Sequence, residues 1–215
     1  MLADSTRHAS TLAGRRGSLP PMRSNPPDGF EGHCLRCLLR REVCLCSRLP
    51  TVETAVRFVI VRHVVERLRT SNTARLAALA LPNSEILEYG DLEPLDESRL
   101  AGADTWLLYP APSAPTPAPG ARPRRLIVLD GTWRQSRKMF ARLAPLRGMP
   151  CLALAPADPS LLRLRRPPRE DGMSTLEAIA EAVRLLEGEG QARQLLALHD
   201  AHVQAVVTLR VYPKP

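Results

Sequence analysis

Apolar residues recur along the chain in two rhythms. Short apolar runs occur at VRFVIVRH (56–63), EILEY (85–89), TWLLYP (105–110), LIVLD (126–130) and CLALA (151–155). Their length suits strands, and the most continuous of them suit strands buried on both faces. Between the runs the apolar positions fall at helical spacing. One helix is expected from about Thr73 to Leu81, with Pro82 as its stop and Ser71, Asn72 and Thr73 as natural start residues. A second runs from about Thr132 to Leu143, ended by Pro145. A third opens on Ser174-x-x-Glu177, a capping-box pattern, and carries Leu176, Ile179, Ala180 and Val183 on one face before Gly188 ends it. A last amphipathic helix spans about Gln191 to Leu209, where His199 and His202 read as packing or surface residues.

Strands alternating with helices predict an α/β domain with a mainly parallel sheet flanked by helices. Ligands bind such sheets beyond the carboxyl ends of the strands. That rule selects Tyr109 and Pro110, then Asp130, Gly131, Thr132 and Trp133, then the loop before Ser174. The stretch APSAPTPAPGARP (111–123) cannot pair in a sheet and is expected as an exposed loop. Residues 1–30 carry no apolar core of a secretory signal and read as a disordered tail of a cytoplasmic protein. Nowhere does an apolar window approach the ~18 residues of a membrane span.

Four cysteines change the picture at the N-terminal side. Cys34, Cys37, Cys44 and Cys46 form C-x2-C followed, six residues on, by C-x-C. Two thiolate pairs across a short loop can close on one zinc ion as a structural site, with His33 as a substitute ligand. Disulfides suit neither the tight spacing nor a reducing compartment, and a redox C-x-x-C leaves the second pair unexplained. Cys151, inside an apolar run, reads as a core thiol. The chain thus divides into a tail (1–30), a zinc element (31–50) and an α/β domain (51–212).

The net charge is +8, and 28 of the 30 basic residues are Arg. The excess is concentrated: residues 121 to 170 hold twelve Arg or Lys against Asp130, Asp158 and Glu170, an excess of nine. Such a block reads as a footprint for phosphate, with a solvated basic face as the alternative. Arg134, Arg137 and Lys138 recur at about one helical turn, and Arg163, Arg165 and Arg166 form a second cluster.

Taken in order, these pieces resemble one family. The cysteine cluster, His63-x-x-Glu66 running into Ser71-Asn72-Thr73, Leu108-Tyr109-Pro110, Asp130-Gly131-Thr132-Trp133 and Ser174-Thr175-Leu176-Glu177-Ala178 together resemble the DTW-domain family, the tRNA-uridine aminocarboxypropyltransferases, in its bacterial form. The resemblance implies a SPOUT-like fold whose C-terminal part can be knotted. It also implies S-adenosylmethionine as donor of a 3-amino-3-carboxypropyl group to N3 of a tRNA uridine, in the variable loop for bacterial members. On that reading Asp130 is the catalytic carboxylate, and Tyr109, Pro110, Gly131, Thr132, Trp133, Ser174, Thr175 and Glu177 border the donor. Asn72, Thr73 and the two basic clusters then meet the RNA. Helix capping by Asp130 stands as the alternative for that residue. A SPOUT-type RNA methyltransferase and a non-catalytic zinc-bearing RNA-binding module stand as alternatives for the whole.

Overall fold

The computed structural model describes residues 30–110, 120–155 and 172–211. Five strands form the sheet: β1 (Arg57–His63), β2 (Ser84–Tyr89), β3 (Thr105–Leu108), β4 (Arg125–Asp130) and β5 (Cys151–Leu152). Their order is β2-β1-β4-β3-β5, and every pairing is parallel. The four helices are α1 (Thr73–Ala80), α2 (Trp133–Arg142), α3 (Thr175–Leu186) and α4 (Glu189–Val211). The expected parallel α/β architecture is therefore present, and most element ends lie within a residue or two of expectation. The exception is β5, which pairs over two residues where five were expected, because only Leu107 and Leu108 of β3 are there to receive it.

Burial on both faces explains the continuous apolar runs. Phe58 and Ile60 of β1, with Leu126 and Val128 of β4, face a core shared with α1, α3 and α4. Val59, Val61 and Ile127 point the other way, against Met139 of α2 and Leu143, Leu146 and Met149 beyond it. The edge strand β2 carries Glu85 and Glu88 among its residues, and charge on an edge discourages further strand pairing. The cysteine-bearing segment packs into the first core through Leu39 and Leu45.

The α1 helix follows β1 on one face and α2 follows β4 on the other, although β1 and β4 are neighbours. The connections diverge there, and this switch point at the carboxyl edge is where such sheets hold their ligand crevice. Gly188 (φ 120°) turns the chain between α3 and α4, as its position after the periodic residues predicts. Among the described residues no helix is long and apolar enough to cross a membrane. The second Arg cluster, Arg163, Arg165 and Arg166, lies outside the described residues.

Candidate active site at the β1–β4 crevice

Asp130 is the last residue of β4 and lies level with Arg62 of β1. Strand alternation sends its side chain to the face of α1 and α3, where it is 4% exposed. Both carboxylate oxygens are occupied. Asn72 Nδ2 donates to Oδ2 at 2.7 Å, and Thr175 Oγ1 donates to Oδ1 at 2.5 Å. Asn72 is the N-cap of α1, its Oδ1 accepting from Arg75 N at 3.0 Å. Thr175 is the first residue of α3. Two helix N-termini thus converge on one carboxylate, an arrangement that favours its charge.

Behind this pair sits Arg62, itself 6% exposed, ion-paired with Glu88 and with one guanidinium nitrogen 3.5 Å from Asn72 Oδ1. Burial pushes the Asp130 carboxyl above its ordinary range. The Thr175 and Asn72 hydrogen bonds and the Arg62 charge oppose that shift without cancelling it. The competition between burial and neighbouring cations, which sequence alone leaves open, is decided in favour of burial.

Asp130 does not cap the helix that follows it. Thr132 does, accepting from Gln135 N at 3.3 Å while Gln135 Oε1 accepts from Thr132 N at 2.6 Å. Gly131 packs closely at the turn between them, where a Cβ would lie 3.1 Å from Gln135 Cβ and 3.6 Å from His63 Cβ. Trp133 is half-buried. Arg134, Arg137 and Lys138 are exposed, while Ser136 and Met139 bury the opposite side of α2. The basic residues therefore share one solvent face. Tyr109, at the end of β3, stacks on Phe140 of α2 with ring centroids 4.7 Å apart, and Pro110 beside it is exposed.

The α3 start is more closed than its sequence suggests. Ser174 and Glu177 form the expected capping box, with Ser174 N donating to Glu177 Oε2 at 2.8 Å and Ser174 Oγ accepting from Glu177 N at 3.2 Å. Leu176 N donates to Thr73 Oγ1 at 3.3 Å. Glu177 is 3% exposed and lies 3.4 Å from His199 Nε2. Its carboxylate is thus committed inside the protein. The N–H of Thr175 is the one donor of this turn without a protein partner among the described residues.

Asn72 and Thr73, expected at the RNA, are likewise buried, and their side chains are bonded to Asp130, Arg75 and Leu176. The structure places them beneath the crevice, where they hold it together. One residue was missed in the sequence: Arg62 is hidden there inside an apolar run. His63, named with Glu66 among the family's motifs, borders Gly131, and its Nδ1 accepts from Val65 N at 3.3 Å. His199 and His202 are packing residues, 2% and 0% exposed.

In the N-terminal segment, the Sγ atoms of Cys34, Cys37, Cys44 and Cys46 all lie within 4.8 Å of one another. The Cys34–Cys46 and Cys37–Cys44 separations are 3.6 and 3.7 Å. Zinc–sulfur bonds of ~2.3 Å in a tetrahedron require sulfurs about 3.8 Å apart, so the four thiols fit a zinc ion. Disulfides, at ~2.05 Å, are excluded by the same distances. Leu38 N donates to Cys34 O at 2.8 Å, and the Leu38 φ of 61° turns the chain back so that Leu39 O accepts from Cys34 N at 2.8 Å, which bends the C-x2-C pair around a common centre. The N–H of Cys37, ahead of smaller contributions, lowers the Cys34 thiol to about 6 and so favours the metal-binding thiolate. His33 turns away, with Nδ1 3.1 Å from Glu31 O, and the substitute-ligand reading is set aside. Cys151 is half-buried against the second core rather than sealed within it.

The sequence profile of the DTW domain matches residues 31–207. Among similar proteins, tRNA-uridine aminocarboxypropyltransferase 2 of Drosophila melanogaster is 30% identical over 80% of this chain and 74% of its own length. The Mus musculus protein of the same name is 29% identical over 85% of this chain and 70% of its own. That of Macaca fascicularis is 28% identical over 76% and 59%. These relatives are animal proteins, so the narrower bacterial-type expectation gives way to the family at large. No solved structure matches the chain significantly. A profile match covering most of the chain decides membership: the chain belongs to the DTW-domain family.

Proposed function

We propose that this protein transfers the 3-amino-3-carboxypropyl group of S-adenosylmethionine to N3 of a tRNA uridine, releasing methylthioadenosine. The observation that carries the reading is the buried Asp130 carboxylate at the β1–β4 crevice, held by the N-termini of two helices. Uracil N3 is a poor nucleophile until its proton leaves, whereas the carbon beside a sulfonium is already activated. The protein's tasks are to align the two centres and to remove the proton. Asp130, with its carboxyl raised by burial, is the base. Gly131 to Trp133, Tyr109-Pro110 and the Ser174–Thr175 turn border the donor, and the Thr175 N–H at the start of α3 suits the donor's carboxylate. Glu177 and Asn72 hold those walls from inside. The exposed face of Arg134, Arg137 and Lys138 takes RNA phosphates, so a cytoplasmic tRNA can present its uridine unstacked. The four cysteines hold a structural zinc that fixes the N-terminal segment against the core.

The test is to incubate purified protein with unmodified tRNA and S-adenosylmethionine, then to identify the nucleosides by mass. An aminocarboxypropyl adduct supports the proposal, whereas a methyl adduct replaces it with methyl transfer and an absence of product refutes both. Asp130→Asn should lower turnover by at least ~10²-fold, the lower end of what general-base help supplies. Near-normal turnover would remove the role.

A further inference from the structure

Asp130 is too enclosed to touch a nucleobase directly. Its carboxylate is 4% exposed, and Asn72, on Oδ2, is 7% exposed with its own Oδ1 committed to Arg75 N. Of the two groups bonded to the carboxylate, Thr175 on Oδ1 is the more exposed, being half-buried at the first position of α3. An ionised carboxylate can only accept hydrogen bonds, so the single hydroxyl hydrogen of Thr175 points at Asp130. Among the described residues nothing donates to Thr175 Oγ1, so its two lone pairs are left for whatever enters the crevice. A hydroxyl pinned in this way receives an N–H and repels another acceptor.

Resting on the transfer reaction proposed above, we propose that Thr175 is a catalytic residue that takes the N3 proton of uracil while passing its own hydroxyl proton to Asp130. The N3–H bond breaks and its proton moves to Thr175 Oγ1, as the Oγ1 proton moves to Asp130 Oδ1. The freed N3 pair forms the bond to the carbon beside the sulfonium. The carbon–sulfur bond breaks with its electrons going to sulfur, which leaves as a neutral thioether. Asp130 is left protonated and returns the proton to solvent through the same hydroxyl once the products have gone. The pinned hydroxyl also selects the base. Uracil presents an N–H at N3 and is received, whereas cytosine presents a bare acceptor there and is refused.

Three variants of the full chain test the relay: Thr175→Ser, Thr175→Ala and Thr175→Val. Each is assayed for turnover on tRNA, for donor affinity by calorimetry and for thermal unfolding. Ser keeps the hydroxyl and should turn over within about threefold of the native protein. Val fills the same space without it and should lose ~10²–10⁴-fold in kcat, the range of lost acid–base help, with donor affinity unchanged. Ala leaves room for a water that bonds Asp130 in the hydroxyl's place, so it should exceed Val by tenfold or more. A packing role predicts the reverse order, with Val above Ala, and that order would overturn the relay. So would Val turning over within threefold of the native protein, or a Val defect confined to donor affinity. If the native protein makes no aminocarboxypropyl nucleoside, the transfer reading falls and the relay with it. Native product together with an undiminished Val variant overturns the relay alone.

Discussion

Replacing Asn72 by Ala removes one small side chain but two jobs. Its Oδ1 caps α1 through Arg75 N, and its Nδ2 occupies one oxygen of a buried carboxylate. A lost N-cap costs ~1 kcal/mol. Leaving a buried acceptor unsatisfied costs a further ~1–3 kcal/mol. Together Asn72→Ala should lower stability by about 2–4 kcal/mol, since additional partners of Asp130, Thr175 and the nearby Arg62, remain in place. For a domain of this size each kcal/mol moves the midpoint by roughly 2–4 °C. Urea unfolding is the assay of choice, followed by circular dichroism, with Asp130→Ala and the double variant completing a cycle. Asn72 and Asp130 are in direct contact, so the double variant should be less destabilised than the sum of the singles by ~1–2 kcal/mol. Additivity within ~0.5 kcal/mol would show that the 2.7 Å bond does not couple the two residues, and the description of a shared hub would fail.

Three other outcomes are expected. His202 is fully buried, and burial foremost, with His199 second, lowers its pKa from 6.5 to about 4. A base depressed on folding contributes stability that is present above pH 6.5 and lost as pH falls through 4. Wild-type protein should therefore lose about 3 kcal/mol relative to His202→Leu between pH 7 and pH 4, measured as the difference in unfolding free energy. A difference that stays flat with pH would show that the ring is hydrated. Metal analysis should find one zinc per chain, lost in Cys37→Ser, and chelation should lower the melting temperature because Leu39 and Leu45 reach the core through that segment. Binding of tRNA should weaken linearly in log–log with salt, and Arg137→Ala should reduce the slope by up to ~1. An unchanged slope would place the RNA elsewhere than on the α2 face.

Local signals were strong where local physics decides. The capping boxes at Thr132 and Ser174, the terminator Gly188 and the clustered cysteines each depend on near neighbours in the chain, and each is readable from residue type and spacing. The insertion of β4 between β1 and β3 is not, because these three strands all bury apolar residues on both faces and so carry no mark of their partners. Arg62 was overlooked for a related reason. It interrupts an apolar run by one residue, and only Glu88 and Asn72, brought in by β2 and α1, make its burial tolerable. Asn72 looked like a surface residue at a helix start. Its second bond, to a residue 58 positions away, belongs to the fold and not to the helix. Asp130 was expected at an open rim; the two helix starts that close over it come from distant stretches of sequence.

The strand order has a consequence for how the chain is made. As the polypeptide leaves the ribosome, β1, β2 and β3 emerge before β4, yet β1 and β3 touch only through β4. Until residue 130 appears, two strands must wait with facing edges open, and open edges invite pairing with other chains. The carboxylate that ends β4 arrives with the strand that joins β1 to β3, so a nascent chain acquires the central rung of its sheet and its reactive group together, ahead of β5 and α3.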